Sequence, residues 1–143
     1  MERLFLIVRI AGELVAIDAE RVSSVVEVDA IAPIPRVPPH IAGLFALRSR
    51  VLTVIDSPRA LGLPSMGRPS RATAVIVTAD GHGYALLVDE IVDVASVAPP
   101  APCAALLEGG WARATIGQVT TGDGTLLLLD PDALIAGCEV VAA

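Results

Sequence analysis

The stretch Ile41-Ala42-Gly43-Leu44-Phe45-Ala46-Leu47-Arg48-Ser49-Arg50-Val51-Leu52-Thr53-Val54-Ile55-Asp56 decides the fold. Two apolar runs, 43–47 and 51–55, are separated only by Arg48-Ser49-Arg50. Runs of four to eight apolar and β-branched residues bounded by polar interruptions read as strands, so the interruption is a tight turn joining two of them. An Arg at the tip of an apolar hairpin is placed to offer its planar guanidinium to a carboxylate on another molecule.

The same pattern extends outward in both directions. On the N-terminal side, runs 4–10 and 14–17 flank Ala11-Gly12-Glu13 as a hairpin. Asp18 is positioned to cap a short helix through Ala19-Glu20-Arg21-Val22, and the strand pattern resumes over 25–28. Pro33, Pro35, Pro38 and Pro39 then exclude regular structure up to Ile41. On the C-terminal side, Ser57-Pro58 reads as an N-cap followed by proline, opening a helix that Gly62 and Pro64 close. A polar connector occupies 65–71, and runs 73–78 and 84–88 flank Asp80-Gly81-His82-Gly83 as a second hairpin. Residues 91–97 continue as a strand. The uncharged run 94–107, with Pro99, Pro100 and Pro102, reads as a loop. Runs 116–120 and 125–129 flank Thr121-Gly122-Asp123-Gly124, and Asp130-Pro131 opens a terminal helix that ends near Gly137. Eight to ten short strands with two or three minor helices make an all-β chain. The connector separates two halves of similar pattern, roughly 1–66 and 67–143, each with room for a small barrel, without amounting to a true sequence repeat.

Composition narrows the function classes. A chain of 143 residues fits one domain. Its core must be Val, Leu, Ile and Ala, because residues are 54% hydrophobic but only 3% aromatic. So few stacking platforms, with a net charge of -6, argue against a nucleic-acid partner. All ten basic residues are Arg, and the absence of Lys removes Schiff-base and P-loop chemistry. Residues 30–79 carry six Arg (Arg36, Arg48, Arg50, Arg59, Arg68, Arg71) against Asp56 alone, a positive surface for an acidic partner if the six share one face. No run reaches the length of a membrane helix, no signal peptide is evident, and Cys103 and Cys138 lack C-x-x-C spacing, which suits a reducing cytoplasm.

The candidates for catalysis are thin. Asp56, Asp89 and Asp130 each follow an apolar strand, where converging carboxylates could act as acid, base or metal ligands. Against this, capping already explains Asp56 and Asp130, which sit one or two residues before a Pro, and no His or second Asp stands at ligand spacing. His40 and His82 are not paired with a Ser or Cys nucleophile. The Gly81-His82-Gly83 and Gly122-Asp123-Gly124 pairs lack the third Gly and following helix of a dinucleotide fingerprint. These residues imply no cofactor and no metal.

With Phe5-Leu6-Ile7-Val8 and Ala16-Ile17-Asp18 before it, and Ala74-Val75-Ile76-Val77 and Leu87-Val88-Asp89-Glu90-Ile91-Val92-Asp93-Val94 after it, the 41–56 stretch resembles the CheW family of chemotaxis coupling proteins. The resemblance runs from about Leu4 to Leu134. It implies two five-stranded SH3-like β-barrels packed together with short helices, a single CheW-like domain over 1–143, with strand exchange between its barrels left open. It also implies no catalysis, a cytoplasmic location with recruitment to membrane-associated receptor arrays, and a role bridging chemoreceptor tips to the regulatory domain of the histidine kinase CheA. By position, Val22, Gly43, Arg48, Ile91 and Val94 match the family's receptor-binding groove, and Val25 with its strand neighbours would face CheA. Ordinary core is an equal reading for Val22, Val25, Ile91 and Val94, because strand alternation also buries them. The family has Asn-Leu-Arg-Gly where this chain has Ala46-Leu47-Arg48-Ser49, so the turn is expected to rest on Ser in place of Gly. It also tends to Pro at position 53 and Leu at position 57. Two rival readings stand beside it: a diverged adaptor in a non-motility chemosensory pathway, and a hydrolase using Asp56, Asp89 and Asp130.

Overall fold

Apolar residues two apart along a strand share a face, and this chain has strands with both faces apolar, so it builds layers that are buried on each side. A computed structural model describes residues 1–65, 67, 71–122 and 124–137; the readings made of Arg68, Asp123, Cys138 and most of the 65–71 connector lie outside these. The strands are β1 (Arg3–Ile10), β2 (Glu13–Asp18), β3 (Val22–Val28), β4 (Ile41–Leu47), β5 (Arg50–Asp56), β6 (Ala72–Ala79), β7 (His82–Val88), β8 (Glu90–Val97), β9 (Thr115–Thr121) and β10 (Gly124–Leu129). Three short helices, α1 (Ser57–Ala60), α2 (Gly109–Ala114) and α3 (Pro131–Ala136), and one 3-10 turn (Ala19–Arg21) complete the described chain. No helix among the described residues is long and apolar enough to cross a membrane.

Two five-stranded sheets result, β8-β1-β2-β10-β9 and β3-β6-β7-β5-β4. Neither is confined to one side of position 66: β1 and β2 leave the first half to join β8, β9 and β10, while β3 to β7 form a contiguous second sheet. Strand alternation then produces three cores. Phe5, Ile7, Leu126 and Leu128 fill the inside of the first sheet, and Phe45, Leu52, Val54 and Leu87 the inside of the second. Leu6, Val8, Ile17, Ile55, Val75, Leu86 and Leu129 meet between the sheets.

The ladders do not close into complete barrels. No ladder joins β8 to β9 or β3 to β4 among the described residues. A single residue pair spans each gap instead. Ala32, just past β3, exchanges two 2.8 Å hydrogen bonds with Leu44 of β4, and Ala101, just past β8, pairs in the same way with Gln118 of β9. The residue before each partner is a glycine: a Cβ on Gly43 would run into the Ala32 carbonyl and lie 2.8 Å from Ile31 Cγ2, and one on Gly117 would lie 2.9 Å from the Ala101 oxygen.

This correspondence extends through the whole molecule. β3 lies against β6 with Val22 opposite Val77, a bulge, then Val25 opposite Val75. β8 lies against β1 with Ile91 opposite Val8, a bulge, then Val94 opposite Leu6. The β1–β2 and β6–β7 hairpins both turn on two residues with positive φ, Ala11-Gly12 (52°, 82°) and Asp80-Gly81 (50°, 78°), the left-handed pair that matches strand twist. These turns are tighter than the sequence reading, which had included Glu13, His82 and Gly83. Each sheet also contains one parallel pair, β2 with β10 and β5 with β7. The two sheets are therefore internal copies in register, although their sequences do not repeat.

Local capping follows the sequence with one correction. Asp18 accepts from Glu20 N (3.0 Å) and Asp130 from Asp132 N (3.0 Å). At α1 the cap is Asp56, accepting from Arg59 N (3.2 Å), and not Ser57. Ser57 is instead the first helical residue, fully buried, with its hydroxyl unpaired. An orphaned buried hydroxyl costs on the order of 1 kcal/mol or more, so Ser57→Ala should raise the unfolding free energy by about 1 kcal/mol and Tm by about 3 °C in a thermal melt. A lower Tm would mean that the hydroxyl has a partner.

Just beyond the 94–107 segment read as a loop, the chain forms α2, a helix that the sequence reading does not include. Arg113 holds this helix by donating to Ala60 O of α1 (2.6 Å) and Ala133 O of α3 (3.2 Å). Gly110 packs directly on the Leu61 backbone, where a Cβ would collide. His40 makes the matching contact on the other side, its Nε2 lying 2.8 Å from Ile135 O.

Candidate protein-interaction site

Four of the six residues singled out by resemblance rim the core between the sheets, as two equivalent pairs. Val22 and Ile91 are the paired residues immediately before the bulges of β3 and β8, and both are half-buried against that core. Val25 and Val94 occupy matching positions three residues on and are 42% and 55% exposed. The first of each pair is therefore part of the edge of the core, and the second is surface. Both strands are sheet edges. The extra residue of the β8 bulge, Val92, is itself 42% exposed.

Gly43 and Arg48 stand apart from these pairs, on β4 and its turn at the far edge of the second sheet from β3. Gly43 is buried and carries φ of 150° at the point where Ala32 crosses. Arg48 is exposed, with no hydrogen bond or ion pair to another described residue. It also takes the left-handed conformation of the turn, φ 56°, while Ser49 does not. The expectation that Ser49 must replace a glycine is thus corrected: the unfavourable backbone falls on Arg48.

The positive segment does not form one surface. Leu47 pairs with Arg50 at the β4–β5 turn, whereas Arg59 and Arg71 lie on α1 and just before β6, at the end of the sheet where Asp56 pairs with Leu87 and Ala72 with Val28. Alternation and the parallel β5–β7 pairing send these two groups to opposite ends. Arg21, outside the segment, is engaged: it grips Asp132 through two contacts of 2.6 and 3.3 Å and approaches Asp130 at 3.9 Å. The hydrogen bond to Asp132 raises the Arg21 pKa above its ordinary value; partial burial opposes this, and the charges of Asp132, Asp130 and Asp18 add to it.

The carboxylates proposed for hydrolysis are each occupied by backbone. Asp56 and Asp130 cap helices, and Asp89 accepts from Gly12 N (2.9 Å). Among the described residues no three His, Cys, Asp or Glu side chains gather as a metal site. His40 is buried on a helix carbonyl, while His82 contacts Thr53 Oγ1 at 2.9 Å and stacks edge-on with Tyr84.

Sequence reasoning passed over Val51, 55% exposed beside Ala46 one pair in from the Arg48 turn. The signal was available: Val51 alternates with Leu52 and so faces away from the inside of its sheet.

The described residues thus form two paired, SH3-like five-stranded sheets with an exposed apolar rim along edge strands β3 and β8. The chain belongs to the CheW-like domain family, whose model matches residues 4–139. It is similar to the chemotaxis protein CheW of Treponema pallidum (strain Nichols), with 26% identity over 142 residues covering 92% of this chain and 81% of the relative. Its fold is similar to the crystal structure of the scaffolding protein TtCheW from Thermoanaerobacter tengcongensis, with a TM-score of 0.80, 24% identity, and coverage of 91% of this chain and 90% of that one. The family makes this chain a non-enzymatic scaffold of chemotaxis signalling.

Proposed function

We propose that the protein couples chemoreceptor cytoplasmic tips to the regulatory domain of the histidine kinase CheA. It does so in the cytoplasm, recruited to receptor arrays as one domain built of two exchanged subdomains. The observation that carries this reading is the exposed rim of the inter-sheet core, where edge strands β3 and β8 offer Val25 and Val94 to a partner. Apolar edge strands left uncovered are where proteins add a partner segment, and both edges here are bulged, which suits a specific docking surface better than open-ended aggregation. Ile91, Val94 and Val22 supply apolar area to a receptor helix hairpin, Gly43 shapes the β4 edge, and Arg48 pairs with a receptor carboxylate. Val25 and its neighbours on β3 contact CheA.

The test is a binding measurement with the CheA regulatory domain and a receptor-tip fragment from the same genome. Micromolar binding to each, and a ternary complex with both, are expected. Binding to neither would end the coupling reading and leave the fold without this function.

A further inference from the structure

The ends of the two sheets that carry the helix-capping acids are internal copies with different contents. Leu86 lies opposite Val75 as Ile17 lies opposite Leu6, and Ile55 lies opposite Leu86 as Leu129 lies opposite Ile17. Asp56 therefore corresponds to Asp130, Leu87 to Asp18 and Ala72 to Arg3. In the first sheet this end is filled by charge: Arg3 pairs with Asp18, and Arg21 approaches Asp130 at 3.9 Å while gripping Asp132.

In the second sheet neither guanidinium has a counterpart. Ala72 stands in the place of Arg3, and nothing replaces Arg21, because β2 reaches β3 through Ala19–Arg21 whereas β7 passes into β8 through Asp89 alone. The acid remains. Asp56 is 5% exposed and is held by neutral donors, Arg59 N at 3.2 Å and Ser65 Oγ at 2.5 Å, with no ion pair among the described residues. A buried carboxylate among apolar neighbours is costly until an opposite charge meets it. Space for one is present: Asp56 lines a cavity of about 430 Å³ whose walls are Val28, Ile31, Ile41, Ala42 and Leu87, and whose remaining charged group is Asp29, exposed and unpaired among the described residues.

We propose that this cavity binds a small organic cation, an amine with a short branched apolar body, whose ammonium group takes toward Asp56 the role that Arg21 has toward Asp130. The ammonium donates to the Asp56 carboxylate, and the apolar body lies against Val28, Ile41, Ala42 and Leu87. Asp29 adds a second negative charge at the opening, which favours cations over anions before they enter. This inference goes beyond the coupling reading above and stands independently of it.

The experiment titrates isoamylamine into the full chain and follows the amide NMR signals, with isovalerate, a carboxylate carrying the same branched end, as the opposite-charge control. Saturable shifts at Val28, Ala42 and Leu87 with a Kd of about 1 mM, and none with isovalerate, are expected. Asp56→Asn keeps a side-chain oxygen to cap α1 and should raise the Kd by about tenfold or more, while Asp130→Asn in the first sheet should leave it unchanged. Asp29→Asn, at an exposed position, should raise it by about twofold. Equal shifts with isovalerate or with magnesium chloride, shifts that fail to saturate or that fall away from the cavity, or parental affinity in Asp56→Asn would each overturn the site. Should Asp56→Asn fail to fold, the comparison of isoamylamine with isovalerate on the unmodified protein decides the matter.

Discussion

Gly43→Ala should lose about 3–4 kcal/mol of folding free energy, among the largest losses available to a single methyl group in this chain. Two costs combine. The backbone at Gly43 has φ of 150°, a region that a residue with a Cβ rarely enters. The new methyl would also collide with the Ala32 carbonyl and crowd Ile31 Cγ2 at 2.8 Å. That carbonyl cannot simply retreat, because it accepts from Leu44 N at 2.8 Å in the one residue pair spanning β3 and β4. Gly12→Ala is the control. Gly12 also has positive φ, 82°, but nothing lies within 4 Å of its Cβ position, so only the backbone cost of about 1 kcal/mol should appear. Urea unfolding of both variants measures the difference, and equal losses would show that the crossing at Ala32 does not constrain Gly43. A receptor-binding defect in a Gly43 variant must therefore be corrected for the fraction folded before it is assigned to a lost contact.

The contrast between Gly43 and Arg48 shows what was legible in the sequence. The strands were, because period-2 alternation of Val, Ile and Leu is a local signal, and the Asp caps and Gly turns that punctuate them are local too. Sheet membership was not. Alternation tells that Leu6 is buried on one face and Ile7 on the other, but not that β1 lies between its own hairpin partner and β8, which begins at Glu90. The same limit hid the role of Gly43, whose requirement comes from a backbone crossing eleven positions earlier at Ala32. α2 escaped for another reason. It starts with Gly109-Gly110, has no side-chain cap at Glu108, and follows three prolines, so its intrinsic signal is weak. Its contacts are tertiary, from Arg113 to two helix carbonyls and from Trp111 to the core. Arg48 was legible because an uncompensated cation at a hairpin tip has no place in a core. The six-Arg surface was not decidable, since which end of a sheet each Arg occupies depends on strand direction.

Arg48→Glu should weaken binding of a receptor tip by about tenfold or more, roughly 1.4 kcal/mol, with the loss greatest at low ionic strength. The charge stands at an exposed turn with no bonding partner among the described residues, so reversal breaks nothing inside the protein and turns an attraction for a carboxylate into a repulsion. Arg48→Gly separates folding from binding more sharply. Because Arg48 adopts φ of 56°, glycine relieves a left-handed conformation worth about 1 kcal/mol, partly offset by the greater freedom of a glycine in the unfolded chain. The variant should be as stable as the parent or slightly more so, yet bind receptor more weakly, while both variants keep parental affinity for the CheA regulatory domain. Calorimetric titration at two salt concentrations with a thermal melt of each protein reads all three quantities. Parental receptor affinity in Arg48→Glu at low salt would remove Arg48 from the interface, whereas a fall in receptor and CheA binding together, accompanied by a lower Tm, would make its role one of turn geometry.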